Sequence, residues 1–305
     1  MASKKNYIIA GSAALAGAAS LFVGFAGNYL AALSAGGNSQ TLEEALEWQS
    51  SRYDISFTDD LDTFSYTVTG YEGYELHAQF FKNPQPSGKY IILTHGYTDN
   101  RYGNLKYMKM YLDRGYNCVI YDLRGHGENE PAPCTYGILE AKDLLAVIED
   151  TRRRFGDGIV LGLHGESLGA ATTATVMQYH PRVDFAVADC GFADIENVIR
   201  GAITHNHLPA WFTKSASFFF KIRYGYSYSQ MRPVDCLADN FVPFLFMHGA
   251  QDTFILPSNS ERMQKSTEGY SELHLVPGAK HANSVLTDPV LYAQCVNGFL
   301  DHLGL

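Results

Sequence analysis

The sequence predicts an α/β protein: a mostly parallel central sheet with helices on both faces and a helical cap insertion. Three observations predict it. Short apolar runs of strand length alternate with amphipathic segments of helix length from about Phe64 to the C-terminus. One run, Ile159 to Leu163, passes through His164-Gly165-Glu166-Ser167-Leu168-Gly169 straight into an Ala-rich helical segment. The alternation breaks once, between Gly191 and Asp235, over a stretch much longer than a simple crossover requires.

Taken in order, Gly36-Gly37-Asn38-Ser39-Gln40 reads as a linker, and Thr41-Leu42-Glu43-Glu44 as a capping box opening a short helix through Trp48. Thr63–Thr69 and Tyr74–Phe81 are strand-like around Gly70-Tyr71-Glu72-Gly73, which predicts an antiparallel hairpin. Lys89–Thr94 is a short apolar strand, Leu105–Leu112 a helix stopped by Gly115, and Tyr116–Tyr121 a strand. Ile138–Arg154 has helical periodicity and precedes the Ile159 strand. Phe185–Ala188, Val242–Met247 and Leu273–Val276 complete the strands, and Val290–Leu303 is the last helix.

Composition bounds the function. With 46% hydrophobic and 18% charged residues, the 305-residue chain can bury a sizeable core. A formal net charge of -9 without any Lys/Arg cluster argues against nucleic acid as a partner. The five cysteines are an odd number and form no C-x-x-C, so buried thiols are expected in place of a disulfide framework.

The N-terminus differs in kind. Lys4 and Lys5 precede a run without charge from Tyr7 to Leu33, longer than the roughly 18–20 apolar residues that span a bilayer. The expectation is an uncleaved signal anchor in residues 1–37, with residues 38–305 as the body and the cap at about 191–235. Two lysines before the run place the N-terminus in the cytoplasm and the body outside a single-pass anchor. Two alternatives stay open: cleavage at Ala32-Leu33-Ser34, which would release a secreted form, and a buried soluble helix.

The chemistry centres on Ser167. A strand turning sharply into a helix strains the serine between them, and Gly165 and Gly169 avoid collisions that side chains would make across the turn. A hydroxyl needs a base to take its proton as it attacks. Of the eleven histidines, His281 sits in Pro277-Gly278-Ala279-Lys280-His281-Ala282-Asn283, between the last strand and the last helix. The acid must orient the other imidazole nitrogen, and Asp252 follows an apolar strand through His248-Gly249-Ala250-Gln251. Asp235 and Asp239 precede that strand and belong at the opposite sheet edge. The expected oxyanion donors are the backbone N–H of Leu168 and that of Tyr97, in the loop opened by His95-Gly96. Asp122-Leu123-Arg124-Gly125-His126-Gly127 reads as a structural turn, and His205-x-His207 lacks further spaced ligands, so no metal or cofactor is expected. In the 191–235 region, Trp211, Phe212 and Phe219 are candidates for lining a pocket for an apolar substrate, against the alternative of one crossover helix with an aromatic packing face.

These segments resemble the α/β-hydrolase superfamily, and within it the bacterial membrane-anchored or exported branch often likened to serine-peptidase and acyltransferase-related hydrolases. The matching motifs are His95-Gly96-Tyr97-Thr98, Asp122 to Gly127, Gly165-Glu166-Ser167-Leu168-Gly169-Ala170, His248 to Phe254, and Lys280-His281. The resemblance implies a Ser167–Asp252–His281 triad and the Tyr97 and Leu168 amides as oxyanion hole. It does not fix a substrate. The expectation is a serine hydrolase acting on a small-molecule acyl ester. A peptidase, amidase or thioesterase of the same fold is the alternative, and a non-catalytic membrane-tethered binding protein a remote one.

Overall fold

The computed structural model describes residues 23–36 and 40–305. Eight strands form one sheet: β1 (Thr63–Thr69), β2 (Glu75–Phe81), β3 (Lys89–Thr94), β4 (Tyr116–Tyr121), β5 (Val160–Glu166), β6 (Phe185–Asp189), β7 (Phe244–Gly249) and β8 (Ser271–Val276). Their order is β1-β2-β4-β3-β5-β6-β7-β8. The expected hairpin pairs β1 with β2 antiparallel, and β2 meets β4 antiparallel, while every other pairing is parallel. Full burial of β4, β6 and β7 explains their unbroken apolar runs, since a strand covered on both faces has no solvent side to alternate with.

The helices are α1 (Leu42–Ser50), α2 (Leu105–Leu112), α3 (Ile138–Phe155), α4 (Leu168–Val176), α5 (Ile195–His205), α6 (Phe212–Tyr224), α7 (Ser258–Ser266), the single turn α8 (Ser284–Thr287) and α9 (Pro289–His302). The capping box at α1 is present, with the Glu44 amide donating to Thr41 Oγ1 and the Thr41 amide to the Glu44 carboxylate. One apolar cluster joins the sheet to α3 and α4, where Ala170, Ala171 and Ala174 are fully buried and let the helix approach the strands. A second joins it to α2 and α9 through Tyr107, Met108, Tyr111, Tyr292 and Phe299. The helix α7 has no counterpart in the apolar pattern, because Ser258-Asn259-Ser260-Glu261-Arg262 offers little to bury.

The insertion between β6 and β7 is built of two helices, α5 and α6, joined at Leu208–Trp211. The single-crossover alternative therefore does not describe it.

The uncharged N-terminal run divides. Residues 7–22 lie outside the described residues. Residues 23–35 are helical and pack on the body, with Ala31 and Ala35 buried in the same apolar cluster as α3 and α4. Among the described residues no helix is long and apolar enough to cross a membrane. Cys118, Cys134 and Cys190 are buried free thiols, and Cys236 and Cys295 are half-buried ones.

Candidate active site

The strands β3, β5, β7 and β8 run parallel, so the loops after them gather at one edge of the sheet. Ser167 follows β5 at φ 53° and ψ -108°, a conformation outside the regions an L-residue prefers. Its amide donates to the Asp189 carbonyl at 2.8 Å, and its own carbonyl accepts the Ala171 amide at 3.0 Å, so the strain is held from both sides. The flanking glycines are needed for close approach. A Cβ at Gly165 would stand 2.1 Å from the Gly169 carbonyl oxygen, and one at Gly169 would stand 2.0 Å from the Thr94 carbonyl oxygen.

Ser167 Oγ lies 3.0 Å from His281 Nε2, and His281 Nδ1 lies 2.7 Å from Asp252 Oδ2. Burial alone would raise the Asp252 carboxyl. Hydrogen bonds from His248 and His281, the His281 charge and the Ile255 amide outweigh it and hold the group well below the usual carboxylate range. As an ionised carboxylate, Asp252 only accepts, so the Nδ1 of His281 carries the proton and Nε2 is free to accept from the serine hydroxyl. The amides of Phe254 and Ile255 donate to Asp252 Oδ1, both at 2.9 Å, and fix the carboxylate plane. His248 is fully buried behind Asp252, with Nε2 3.3 Å from Oδ2, whereas His281 keeps an exposed edge.

The loop after β3 is braced from below. His95 Nδ1–H donates to the Gly96 carbonyl at 2.7 Å, while its Nε2 accepts the Leu123 amide at 2.9 Å. A ring nitrogen of His126 lies 2.6 Å from the Tyr97 carbonyl oxygen. The Asp122–Gly127 turn thus holds this loop in place. A Cβ on Gly96 would lie 3.7 Å from Ser167 Cβ, which sets the Tyr97 peptide beside the nucleophile. Leu168 begins α4, where an amide has no intrahelical acceptor.

Beneath the elbow lies a buried charged group that nothing in the sequence pattern marks. Lys106 Nζ is 2.5 Å from Glu166 Oε2, with both side chains almost completely buried. Tyr107 donates its hydroxyl to Glu166 at 2.5 Å and lies 3.1 Å from Asp189, and Ser284 donates to Asp189 at 3.1 Å. Burial, with the Glu166 charge adding to it, pushes Asp189 up to about 6. Asp99 is likewise raised to about 6, chiefly by burial.

Ser167 forms part of the floor of a cavity of about 520 Å³. Its walls are mainly aliphatic and aromatic, among them Leu30, Leu33, Tyr97, Tyr136, Phe192, Ile195, Val198, Ile199, Ala202, Ile203, Leu208, Phe254 and Ile255, with Ser34 and Asn206 as uncharged polar members. Trp211, Phe212 and Phe219, the expected pocket residues, do not line it. Phe212 is buried with Trp211 stacked on it at 4.0 Å, and Phe219 packs beside Gly24 and Gly27 of the N-terminal helix. The sequence signal for the true wall was the spacing 195, 198/199, 202/203, an apolar stripe along one face of α5. Among the described residues no cluster of His, Cys, Asp and Glu could hold a metal ion.

Comparison with known proteins agrees with this architecture. The model of the alpha/beta hydrolase fold family matches residues 89–198. The Bacillus subtilis protein YqkD, itself uncharacterized, is 30% identical over 249 residues, which cover 80% of this chain and 81% of that protein. Salmonella YfhR proteins are 25% identical over 232 residues, 72% of this chain and 75% of theirs. Among solved structures, an esterase from Pyrococcus furiosus superposes with a TM-score of 0.64 at 21% identity, covering 82% of this chain and 94% of that one. An esterase from Thermogutta terrifontis gives 0.57 at 18% identity, covering 79% and 99%. A strained serine between two glycines, at the centre of a sheet with this strand order, is what the chain shares with that fold: it belongs to the α/β-hydrolase superfamily.

Proposed function

We propose that the protein is a serine hydrolase of carboxylic esters with an apolar acyl group. The observation that supports this most is the hydrogen-bonded chain Ser167–His281–Asp252 at the floor of an apolar cavity. Ser167 Oγ attacks the acyl carbonyl carbon while His281 Nε2 takes its proton, and Asp252 stabilises the imidazolium that forms. The oxyanion is received by the backbone N–H groups of Tyr97 and Leu168. The tetrahedral species collapses to acyl-Ser167, and the alcohol leaves with the proton held on His281. Water then attacks the acyl-enzyme with His281 again as base, releasing the carboxylic acid and restoring Ser167.

The cavity favours this substrate class because its walls bring no charged side chain to bear on the acyl group. A fluorophosphonate should label Ser167, and Ser167→Ala should abolish labelling and lower kcat by a factor on the order of 10⁵–10⁶ without unfolding the protein. Turnover should be measured on p-nitrophenyl esters of graded length beside aminoacyl-nitroanilides. Labelling that survives the substitution would remove Ser167 from its role, and faster turnover of the anilides would make the protein an amidase or peptidase.

A further inference from the structure

The cavity has a wall that the division of the chain into anchor and body does not anticipate. Leu30 and Leu33 belong to the uncharged N-terminal run and Ser34 follows it directly, yet all three line the same cavity as Ser167. We propose that residues 23–36 are the acyl-selecting wall of this site, and that Leu30 sets how long a chain it accepts. The proposal rests on the acyl-ester reading above for its substrate.

Three sets of contacts hold this helix in one register. Small residues permit close approach: Ala31 and Ala35, one turn apart, are buried against the body. A Cβ at Gly27 would fall 2.1 Å from Ser215 Oγ of α6, and one at Gly24 would touch the Phe219 ring at 3.7 Å. Polar bonds tie the other points. The Ser34 carbonyl accepts hydroxyl protons from both Tyr97, at 2.9 Å, and Tyr136. Ser34 Oγ lies 2.6 Å from the Tyr228 hydroxyl, and the Cys134 amide donates to the Ala35 carbonyl at 2.9 Å. Further up the helix, Ser215 donates to the Val23 carbonyl at 3.2 Å and Arg223 to Asn28 at 2.9 Å.

The two phenols make this more than packing. Tyr97 and Tyr136 stack at 5.7 Å and are themselves cavity walls. Tyr97 also belongs to the loop that faces the nucleophile. Without the Ser34 carbonyl the hydroxyls of buried Tyr136 and half-buried Tyr97 would lose this acceptor, which costs free energy. The N-terminal helix therefore completes the hydrogen bonding of the pocket as well as its surface. Leu30 packs against the main apolar cluster, and the outward side of the same helix carries Phe25, which is 73% exposed and does not line this cavity.

The test compares full-length wild type with Leu30→Trp, Leu30→Ala and Phe25→Ala on p-nitrophenyl esters from acetate to palmitate. Dissociation constants for the fluorescent fatty acid 11-dansylamino-undecanoate provide a second reading, and melting temperatures check folding. Leu30→Trp should lower the octanoate-to-acetate ratio of kcat/KM at least tenfold and weaken the probe at least tenfold. Leu30→Ala should move the preferred chain to greater length, and Phe25→Ala should leave the preference where it is. If Leu30→Trp melts early, the opposite shift in Leu30→Ala decides. Unchanged ratios and probe affinity in both Leu30 variants would overturn the proposal. If wild type cleaves no ester but Leu30→Trp still weakens the probe, the ester reading fails and the wall stands.

Discussion

Ser167 and Asp189 are linked by one backbone hydrogen bond, and their side chains sit on opposite sides of the elbow's problem. Ser167 must be strained and open to the cavity to attack a substrate, while Asp189 must be buried beneath it with Glu166 and Lys106 nearby. Burying Asp189 favours its neutral form, so its folded value of about 6 lies above the roughly 3.9 of an unfolded chain. The sign follows. This group's contribution is fully present below about pH 3.9 and is lost as pH rises through about 6. Asp189→Asn keeps the acceptor oxygen and removes the titration. The variant should therefore gain stability relative to wild type between pH 5 and pH 8, by about 1.4 kcal/mol. Urea unfolding at the two pH values checks this, and equal differences at both would show that Asp189 titrates normally. Asp252 has the opposite sign: its depressed value adds stability at neutral pH that is lost as pH falls below the ordinary carboxylate range.

The elbow also shows what an element demands of its residues. Gly169 has an ordinary helical φ, so backbone strain does not exclude alanine there; the Thr94 carbonyl does. Backbone cannot rotate away as a side chain can, so α4 and β3 must separate. Gly169→Ala should cost about 1–3 kcal/mol, the range for overpacking a tight core, and should lower kcat because β3 carries the Tyr97 loop. Urea melts and turnover measure both, and wild-type stability would mean the helix shifts freely. The strands and long helices were legible because burial on two faces or one leaves an apolar run or a 3.6-residue stripe. The helix α7 was not legible, since its polar sequence reports position only through neighbours. The aromatic helix α6 was legible as a helix-rich insertion but not in its aim. Aromatic residues announce burial, and Phe212 satisfies it beneath Trp211, which itself stays half exposed, while Phe219 packs on the N-terminal helix, all away from the cavity.

At the scale of the whole molecule, the N-terminal run has two claims on it. With residues 23–36 held on the body, residues 7–22 are what the run leaves for a membrane, sixteen residues against the about 20 of a spanning helix. Cleavage at Ala32-Leu33-Ser34 would cut through the helix whose carbonyl holds Tyr97 and Tyr136. We propose that the run keeps the protein on the outer face of the cytoplasmic membrane without being cleaved there. Membrane fractions should yield protein that still contains Leu30 by N-terminal sequencing, and protease added to intact protoplasts should digest the body. Full protection would overturn the orientation, and a mature N-terminus at Ala35 would overturn retention.

The sequence by itself determined the α/β class, the sites of β1 to β8, the elbow, and a Ser167, Asp252 and His281 that the fold brings within hydrogen-bond reach. These are local or ordered signals. Strand burial shows in composition, the elbow's glycines answer contacts across a single turn, and a parallel sheet collects the loops after its strands at one edge. Only the tertiary structure decided which residues enclose the cavity and which charges lie under the nucleophile. Leu30, Lys106 and Ile199 are typical members of an apolar run, a short helix and an amphipathic stripe. What distinguishes each is the neighbour it meets from elsewhere in the chain, and a one-dimensional pattern records that a face is buried without recording against what.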